Sequence, residues 1–500
     1  MKEEETYPKD PATIATRKTE TTATIDSDGP QKIALEASHA NLETDRIAEE
    51  EKITDAILAV ERQIEGVSEG SPALMEFRGV ISDSTEKCRQ VLRKIIAPFG
   101  KDGQKSVIHT AGPESQFHNE IWMRDTAFAI LNILAEEQPE IVLSTLEEIF
   151  KHQREDGALP LRLEKVRHWA RYIPILNRIP SIVNREEPYA VYENVSLALP
   201  ARDTVPTAIL AVFELYRKST EGKEFAKQRW EQMKKSLDRE ASFMKDGLIS
   251  GDKLQDWADS IMRSGKLSDV NILYYRALRG MSVMARDFGS DGGEDKTQYD
   301  KDAASFKEQA EQLRQKIMDM FWDDEKGCFK AGENDERLDT VSNIMAILFV
   351  VSPEKAVLIE ESIERSVTAE SGLLKNFDVE YPESMIAGRY KLGRIVEYHN
   401  SNAWPWVTCM NILAEIKIAK EHRDPKIRRR FKDKAIADFI RISKIFAQNG
   451  DTHEILDPME AKPIHSKLGP ITLYRSSPSF LGSAASYAAV VKALRDAGFQ

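Results

Sequence analysis

Apolar side chains recur at helical spacing along most of the chain from about residue 72 onward. These periodic segments are several turns long, and they alternate with loops that carry Trp, Pro, Asp and His. The predicted helices are Thr126–Glu137, Ile141–Arg154, Thr204–Ser219, Glu224–Met244, Val270–Phe288, Lys301–Phe321, Thr340–Val351, Pro353–Thr368, Ala403–His422, Pro425–Asn449 and Ser479–Ala497. Strand-like alternation is found mainly at Cys328–Lys330 and Ile471–Tyr474. The pattern predicts one all-α domain built from helical pairs, without the short repeat of a solenoid.

The ends of the predicted helices and of the domain follow from local composition. Gly247 is expected to end the long helix before it, and Pro353 to open the next one at its first turn. Residues 1–30 are rich in Thr, Glu, Asp and Lys, which predicts a disordered tail. Residues 31–71 show partly periodic Ile and Leu, which indicates a helical arm. The main domain is expected to cover residues 72–500.

Charge and composition exclude several classes of partner. The net charge of −12 and the pI near 5.5 argue against nucleic-acid binding, and the basic run Lys426–Lys434 is interpreted as a solvated helix face. The longest apolar runs are far shorter than the roughly 20 residues that cross a bilayer, so no membrane contact is expected. Three scattered cysteines and a polar N-terminus favour a cytoplasmic location.

Two loop segments combine aromatic, acidic, amide and imidazole side chains. They are Phe117–Asp125, which contains Trp122, and Glu397–Trp406, which contains Trp404. Sugar rings present apolar C–H faces fringed by hydroxyl groups, so a sugar site needs aromatic platforms beside polar side chains. The same composition also fits tryptophans in a core next to polar helix caps, and the residues alone leave both interpretations open.

Two acidic residues stand in contexts suited to glycosidic-bond cleavage. Asp259 follows Trp257 directly before a predicted helix, and Glu454 lies in a loop between two late helices. Cleavage needs one carboxylic acid to protonate the leaving oxygen and a second carboxylate to activate water or attack. We expect an apolar, aromatic surround to keep the acid protonated near neutral pH. The alternative for Asp259 is a simple helix cap.

The order of these segments resembles the amylo-α-1,6-glucosidase domain of glycogen debranching enzymes and, more broadly, the six-hairpin glycosidases, which include the alkaline/neutral invertases. The resemblance runs from about Phe117 to the C-terminus. It rests on Trp122–Asp125, Asp256–Ser260 with the following Asn271–Leu278, Tyr398–Trp406 and His453–Asp457. The chain departs from the family pattern at Ala258, at Ser401 and in Ser477–Ser483, and no segment of residues 1–500 is expected to correspond to a glucanotransferase half.

The resemblance implies an (α/α)6 barrel with a sugar pocket at one mouth and an inverting mechanism. Asp259 would be the general acid and Glu454 the general base, with their carboxyl groups about 6.5–9.5 Å apart. The substrate contacts implied around them are Trp122, Arg124, Asp125, Asp203, Trp257, His399, Asn400 and Trp404. Asp203 fits a helix N-cap equally well, and His399 fits a structural hydrogen bond. The histidines lack metal-ligand spacing, so neither a metal nor an organic cofactor is expected.

The expected function is hydrolysis of a terminal α-glucosidic bond in an oligosaccharide or small glucoside. One alternative is a β-fructofuranosidase of the neutral invertase type, although the Asp259 context fits that pattern less well. Another is a sugar-binding protein that has kept the pocket and lost turnover. The barrel could also host an unrelated activity, because fold does not fix function.

Overall fold

A computed structural model describes residues 72–99, 105–115, 117–167, 184–194, 197–290 and 295–498. The predicted tail (residues 1–30) and arm (residues 31–71) lie outside the described residues. By its internal contacts the chain divides into Met1–Lys52 and Ile53–Gln500, and every described residue belongs to the second unit. None of the described helices is both long and apolar enough to cross a membrane.

Helices account for most of the described chain, as the periodic pattern predicts. In chain order they are α1 (Pro72–Lys94), α2 (Met123–Ala129), α3 (Pro139–Lys151), α4 (Thr204–Lys218), α5 (Thr220–Gln228), α6 (Trp230–Ala241), α7 (Ser268–Ser290), α8 (Lys296–Phe321), α9 (Thr340–Phe349), α10 (Pro353–Ser366), α11 (Gly388–Leu392), α12 (Pro405–Glu421), α13 (Pro425–Asn449) and α14 (Leu481–Asp496). Helix α2 continues through a π-helical segment, Ile130–Leu134, into a last turn at Ala135–Glu137.

Six inner helices form a closed ring in the described part of the chain. Helix α2 packs on α4, α4 on α7, α7 on α9, α9 on α12, α12 on α14, and α14 returns to α2. Four inner helices also pack against the outer helix that follows them in the chain: α4 on α5, α7 on α8, α9 on α10 and α12 on α13. The continuation of α2, from Ile130 to Glu137, packs on α3 in the same way. The last inner helix, α14, packs against α1, which closes the outer layer. This is the predicted (α/α)6 barrel.

The inner helices are more apolar than the outer ones because they are covered on both sides. Helix α4 is buried from Thr204 to Phe213 without interruption, and α12 is buried over most of its length. Outer helices such as α8 bury only one stripe and carry charges on the other face. The core is therefore continuous around the ring and into the barrel axis.

Most predicted helix boundaries agree with the observed ones to within a few residues. Pro425–Asn449 is observed unchanged, and Pro353 stands at the first turn of α10 as expected. The predicted helix Glu224–Met244 is wrong as a single element, because the chain breaks at Arg229 between α5 and α6. Gly247 does not end a helix. Its φ of +80° lies in the turn of a short hairpin, which only glycine adopts without strain.

Short antiparallel strands fill the loops at the barrel ends. They are β1 (Ile96–Phe99), β2 (Lys105–Ile108), β3 (Glu120–Trp122), β4 (Arg162–Val166), β5 (Asn184–Val191), β6 (Glu193–Asn194), β7 (Leu199–Pro200), β8 (Met244–Lys245), β9 (Leu248–Ile249), β10 (Trp322–Asp323), β11 (Cys328–Gly332), β12 (Asp335–Leu338), β13 (His465–Leu468) and β14 (Ile471–Arg475). The two predicted strands fall in β11 and β14. The sheet β3–β4–β5 was not predicted, and it forms one wall of the pocket described below.

Candidate active site

A cavity of about 1020 Å³ opens where the inner helices begin. Its lining comes from segments just before the first residues of α2, α7, α12 and α14, and from the sheet β3–β4–β5. Eight of the ten predicted site residues line this cavity, and Asp203 and Asn400 do not. The long loops that the sequence marked as polar and aromatic therefore meet at one mouth of the barrel.

Asp259 is buried in the loop between β9 and α7, with 5% of its surface exposed. Its Oδ1 accepts a hydrogen bond from the Tyr390 hydroxyl at 2.9 Å, and its Oδ2 accepts one from the Asn194 amide at 3.3 Å. The Arg389 guanidinium lies 3.8 Å from Oδ1. Asp259 does not act as a helix cap, because these partners lie in α11 and β6 and the next helix, α7, begins only at Ser268.

Burial of Asp259 favours its neutral form, but the charges around it favour the carboxylate more strongly. The Arg389 and Arg124 guanidiniums, together with the Tyr390 hydrogen bond, hold the pKa of Asp259 below its usual value. The expectation that an aromatic surround keeps this group protonated is therefore wrong. The cause is Arg389, which the sequence reasoning did not include.

Glu454 follows α13, which ends at Gly450 in the left-handed region (φ 69°). The Glu454 backbone N–H donates to the Ser477 carbonyl at 3.0 Å. Two residues on, Leu456 pairs with Ala403 through two backbone hydrogen bonds, so the segment is held between the loops that precede α12 and α14. The carboxylate accepts hydrogen bonds from the hydroxyls of Tyr398 and Tyr474.

Burial raises the pKa of Glu454 to about 7, although the hydrogen bonds from Tyr398, Tyr474 and the Ser477 N–H oppose the shift. The side chain is almost fully covered, with 1% of the residue exposed. At pH 7 Glu454 is therefore about half protonated, while Asp259 is ionised. Two carboxyl groups with separated pKa values are the arrangement that acid–base chemistry requires.

Two tyrosine rings connect these carboxyl groups. Tyr390 donates to Asp259, Tyr398 donates to Glu454, and the ring centroids lie 5.0 Å apart. Both phenols are buried, and burial raises the pKa of each far above its usual value, so both keep their protons. The carboxyl-to-carboxyl separation of about 6.5–9.5 Å stays a prediction.

Arg124 joins the first turn of α2 to the loop that carries Asp259. Its guanidinium pairs with the buried Asp203 carboxylate. It also donates to the carbonyls of Trp257 at 3.2 Å and Asp256 at 2.9 Å. Most of its donors are thus used within the protein, and its main effect is to fix the position of Asp259.

Asp125 lines the cavity beside Arg124 and is half-buried. Burial, together with the nearby Asp259 carboxylate, raises the pKa of Asp125 to about 6, against the opposing charge of Arg124. Its position at the cavity wall makes it available to accept hydrogen bonds from a bound polyol. Of the two residues predicted to bind sugar hydroxyls together, Arg124 therefore holds the Asp259 loop in place, and Asp125 lines the cavity.

The predicted aromatic platforms surround the carboxyl pair. Trp404 stacks on His399 with ring centroids 4.8 Å apart, and Trp257 packs edge-on against both. Trp122 is the last residue of strand β3, and the Arg162 guanidinium lies 4.7 Å from the centroid of its ring. All four aromatic rings line the cavity. They provide apolar faces of the kind that a sugar ring packs against.

His399 is neutral in this setting. Burial lowers the pKa of His399 to about 3, although Asp259 opposes the shift. Its Nδ1 lies 3.3 Å from the Ser260 N–H, which donates to it, so we assign the ring proton to Nε2. The expected structural hydrogen bond of His399 is present, and the ring still lines the cavity.

Asp203 and Asn400 have structural partners instead of a place on the cavity wall. Asp203 is fully buried and occupies the N-cap position of α4, but its carboxylate pairs with Arg124 and makes no cap hydrogen bond. The Asn400 amide exchanges two hydrogen bonds with the Tyr381 backbone. The interpretation of these residues as sugar contacts is not supported by their geometry.

Sequence reasoning missed three cavity residues, Arg389, Tyr390 and Tyr474. It also missed Asn194, which donates to Asp259 from outside the cavity lining. Arg389 and Tyr390 belong to the five-residue helix α11, which shows no periodic pattern long enough to mark it. Tyr474 lies in β14, which was predicted as a strand without a role. Only their contacts with Asp259 and Glu454 distinguish them from other tyrosines and arginines.

Behind the site, three buried carboxylates surround one guanidinium. Arg263 pairs with Asp256 and, at 2.7 Å, with Asp339, while Asp269 lies within the same cluster. Burial raises the pKa of Asp269, which reduces the negative charge left unbalanced. Among the described residues this is where three carboxylates could meet a cation, and Arg263 already supplies a positive charge there.

Comparisons with known proteins agree with this architecture. Residues 204–372 match the family model of the bacterial α-L-rhamnosidase six-hairpin glycosidase domain. No curated protein sequence matches the chain.

Solved structures with the same architecture come from several glycosidases. A GH63 mannosylglycerate hydrolase from Thermus thermophilus in complex with glucose is 16% identical, with 82% of this chain and 99% of that chain covered and a TM-score of 0.53. The Hormoconis resinae glucoamylase is 12% identical, with 85% and 74% covered and a TM-score of 0.54. A Klebsiella oxytoca rhamnosidase with rhamnose bound is 14% identical, with 82% and 63% covered and a TM-score of 0.52.

These likenesses define the class: the chain has the fold of the six-hairpin glycosidase superfamily, as the sequence predicted. The likenesses do not distinguish between the branches of this superfamily. The similar structures are named as a rhamnosidase, a mannosylglycerate hydrolase and a glucoamylase, so assignment to the debranching branch stays a prediction.

Proposed function

We propose that the protein is an inverting glycoside hydrolase that cleaves a terminal α-glucosidic bond, with Asp259 as general acid and Glu454 as general base. The observation that carries the proposal is the carboxyl pair itself. Asp259 and Glu454 come from loops far apart in the chain, line one cavity, and have pKa values shifted in opposite directions. A protein that only binds sugar has no need for two carboxyl groups with separated pKa values.

The proposed roles require a change of protonation on substrate binding. The carboxyl group with the raised pKa is Glu454, and it is also the group that holds a proton directly after inversion, when the base has taken one from water. Asp259 must regain a proton before the next cleavage. Weakening of its contact with the Arg389 guanidinium supplies a physical route, because that charge opposes protonation.

The cavity supports attack on a terminal sugar. The two carboxyl groups, His399 and Trp404 are all buried at its inner end, whereas its other end is open to solvent. An inner sugar of a long chain would need openings on both sides. The ring of aromatic faces and the Asp125 carboxylate offer the apolar and polar contacts that a hexose needs.

The test is hydrolysis of α-glucosides, α-mannosides, α-L-rhamnosides and sucrose by wild type, Asp259→Asn and Glu454→Gln, with the anomer followed by NMR. We expect wild type to release glucose as the β-anomer and both variants to lose at least a hundredfold in kcat. Asp259→Asn should retain activity on glycosyl fluorides, whose leaving group needs no proton. Retention of the α-anomer, or full activity of both variants, would remove the proposed pair.

Sucrose separates the neutral invertase alternative from the glucosidase proposal. If sucrose is the only substrate cleaved, the protein is a β-fructofuranosidase that uses the same barrel. If calorimetry detects binding of glucose or rhamnose but NMR detects no turnover of any glycoside, the sugar-binding alternative replaces the enzyme proposal.

A further inference from the structure

The outer wall of the cavity differs in chemistry from its inner end. What we call the outer wall consists of the exposed Leu392 and Tyr189 and the half-buried Leu473 and Val191, all of which line the cavity. Leu392 is 82% exposed and Tyr189 is 53% exposed, whereas the carboxyl groups at the inner end are buried. This gradient of exposure orders the cavity from a polar, covered end to an apolar, solvent-facing one.

Aliphatic side chains are poor partners for a second sugar. They offer neither the flat face of an aromatic ring nor a hydrogen-bond donor or acceptor. A sugar pressed against Leu392 and Leu473 would leave hydroxyl groups without partners, which is costly. An alkyl or aryl group in the same place loses only its contact with water, and that loss is favourable.

Two arginines also line the cavity, and both pack against tyrosine rings of the protein. The Arg185 guanidinium lies 4.4 Å from the ring centroid of Tyr189. The Arg389 guanidinium lies 4.5 Å from that of Tyr390 and 3.8 Å from the Asp259 carboxylate. Among the described residues the Arg185 Nε has no hydrogen-bond partner, so an anionic group is the competing ligand for this wall. The aliphatic side chains supply its uncharged surface.

This wall is built before any ligand arrives. Leu392 ends α11, and Leu473 lies in β14 of the β13–β14 hairpin. The Ser466 hydroxyl of that hairpin donates to the Gly393 carbonyl, directly after Leu392. Because the two leucines stand on connected elements, little ordering is needed to bind a group between them. The cavity volume of about 1020 Å³ is at the upper end of the range for drug-sized ligands, so a sugar does not fill it.

Resting on the function proposed above, we propose that the leaving group is an apolar alkyl or aryl aglycone bound against Leu392, Leu473 and Val191. The sugar occupies the inner end beside Asp259 and Glu454. The aglycone extends toward the opening, where it covers side chains that are otherwise in water. The substrate class is thus a small glycoside with a hydrophobic aglycone, not an oligosaccharide.

The experiment compares hexyl and methyl 1-thioglycosides of α-D-glucose, α-D-mannose and α-L-rhamnose by titration calorimetry with the wild-type protein. Thioglycosides resist hydrolysis, so binding is measured whether or not the chain is an active enzyme. Each fully buried CH2 group strengthens binding by about fourfold. Because the wall is partly open, we expect the hexyl compound of one sugar to bind about ten- to a hundredfold more tightly than its methyl partner.

Leu392→Ser tests the wall directly, and Leu358→Ser is its matched control. Leu358 is 45% exposed on the outer helix α10, away from the cavity, so the same substitution there should leave the hexyl-to-methyl ratio unchanged. In Leu392→Ser the ratio should fall at least threefold. The exposure of Leu392 makes loss of folding in this variant unexpected.

Three results would overturn the proposal. One is equal binding of hexyl and methyl compounds in all three sugars, and another is an unchanged ratio in Leu392→Ser. The third is tighter binding of a 5-carboxypentyl compound than of the hexyl compound, which would indicate an anionic leaving group held by the arginines. A hexyl preference without turnover of the matching O-glycosides would sustain the apolar subsite and refute the hydrolase proposal instead.

Discussion

Replacing Arg389 by Gln tests which carboxyl group protonates the leaving oxygen. The guanidinium lies 3.8 Å from Asp259 Oδ1, and its side chain is 39% exposed. Opposite unit charges about 4 Å apart attract by about 4 kcal/mol in a surround of effective dielectric constant 20 and by about 1 kcal/mol in water. The lower figure is appropriate for a side chain this exposed. Since about 1.4 kcal/mol is tenfold, the variant should raise the proton affinity of Asp259 by about fivefold.

The pH profile of kcat/KM reports this change in two ways. The profile should be a bell, with an acid limb from Asp259 below its usual range and a basic limb near pH 7 from Glu454. Either assignment of acid and base gives the same shape, because the two singly protonated forms hold the same number of protons. In Arg389→Gln the acid limb should move to higher pH in both cases.

The height of the bell separates the assignments. If Asp259 is the acid, the productive form of the enzyme carries the proton on Asp259, and this is the less populated of the two singly protonated forms. In Arg389→Gln the fraction of enzyme in this form should rise about fivefold, and the plateau of kcat/KM should rise with it. If Glu454 is the acid, the plateau stays level. An increase in activity is also hard to produce by general damage to the site.

The assay is kcat/KM between pH 3 and pH 9, on whichever glycoside the substrate panel identifies. Arg185→Gln is the matched control, since Arg185 lines the same cavity but stacks on Tyr189, and its acid limb should not move. An acid limb that stays in place in Arg389→Gln would refute the electrostatic reasoning.

Four further predictions concern Tyr398, Glu454, Arg263 and residues 1–30. Tyr398→Phe removes a donor to the Glu454 carboxylate, so the basic limb should move above pH 7, and an unmoved limb would contradict the hydrogen bond. Because the folded pKa of Glu454 is raised to about 7 from 4.5, its stabilising contribution is full below pH 4.5 and lost as the pH rises through 7. Glu454→Gln should therefore be more stable than wild type at pH 8, by up to about 3 kcal/mol, with no such gain at pH 4 in thermal unfolding. Arg263→Met leaves buried Asp256 and Asp339 without their cation and should cost about 3–5 kcal/mol in urea unfolding, and a loss under about 1 kcal/mol would mean that protons or water replace it. Deleting residues 1–30 should leave kcat and KM unchanged, and a large loss of turnover would show that this segment contributes to the site.

The sequence predicted the helices well because the barrel repeats the same unit, an inner helix paired with an outer one. Every inner helix must be apolar on most sides, and every outer helix on one, so periodicity marks both kinds. The errors occur where that signal is interrupted by short elements. The sequence pattern predicted one continuous helix across Arg229, where the structure has a break. Gly247 lies in the turn of a two-stranded hairpin that is too short to produce a periodic pattern.

For the candidate site, most of the predicted residues line the cavity and two do not. Asp259, Glu454, Asp125 and the aromatic residues line the cavity, because loops before inner helices meet at one barrel mouth whatever their length. Asp203 has a structural role that its local context does not reveal. It appeared to be a cap or a sugar contact, and it is the counter-ion of Arg124, 79 residues away.

The sequence by itself determined the fold class, the order of the helical pairs and the loops that hold the carboxyl groups, since these depend on periodicity and on motifs read within a few residues. Only the tertiary structure decided which carboxyl group holds the proton. That outcome depends on Tyr390, 131 residues from Asp259, and on Tyr398, 56 residues from Glu454. It also depends on the burial of each group and on the distance to Arg389. Electrostatic energies vary with separation in space, and separation along the chain carries no information about it.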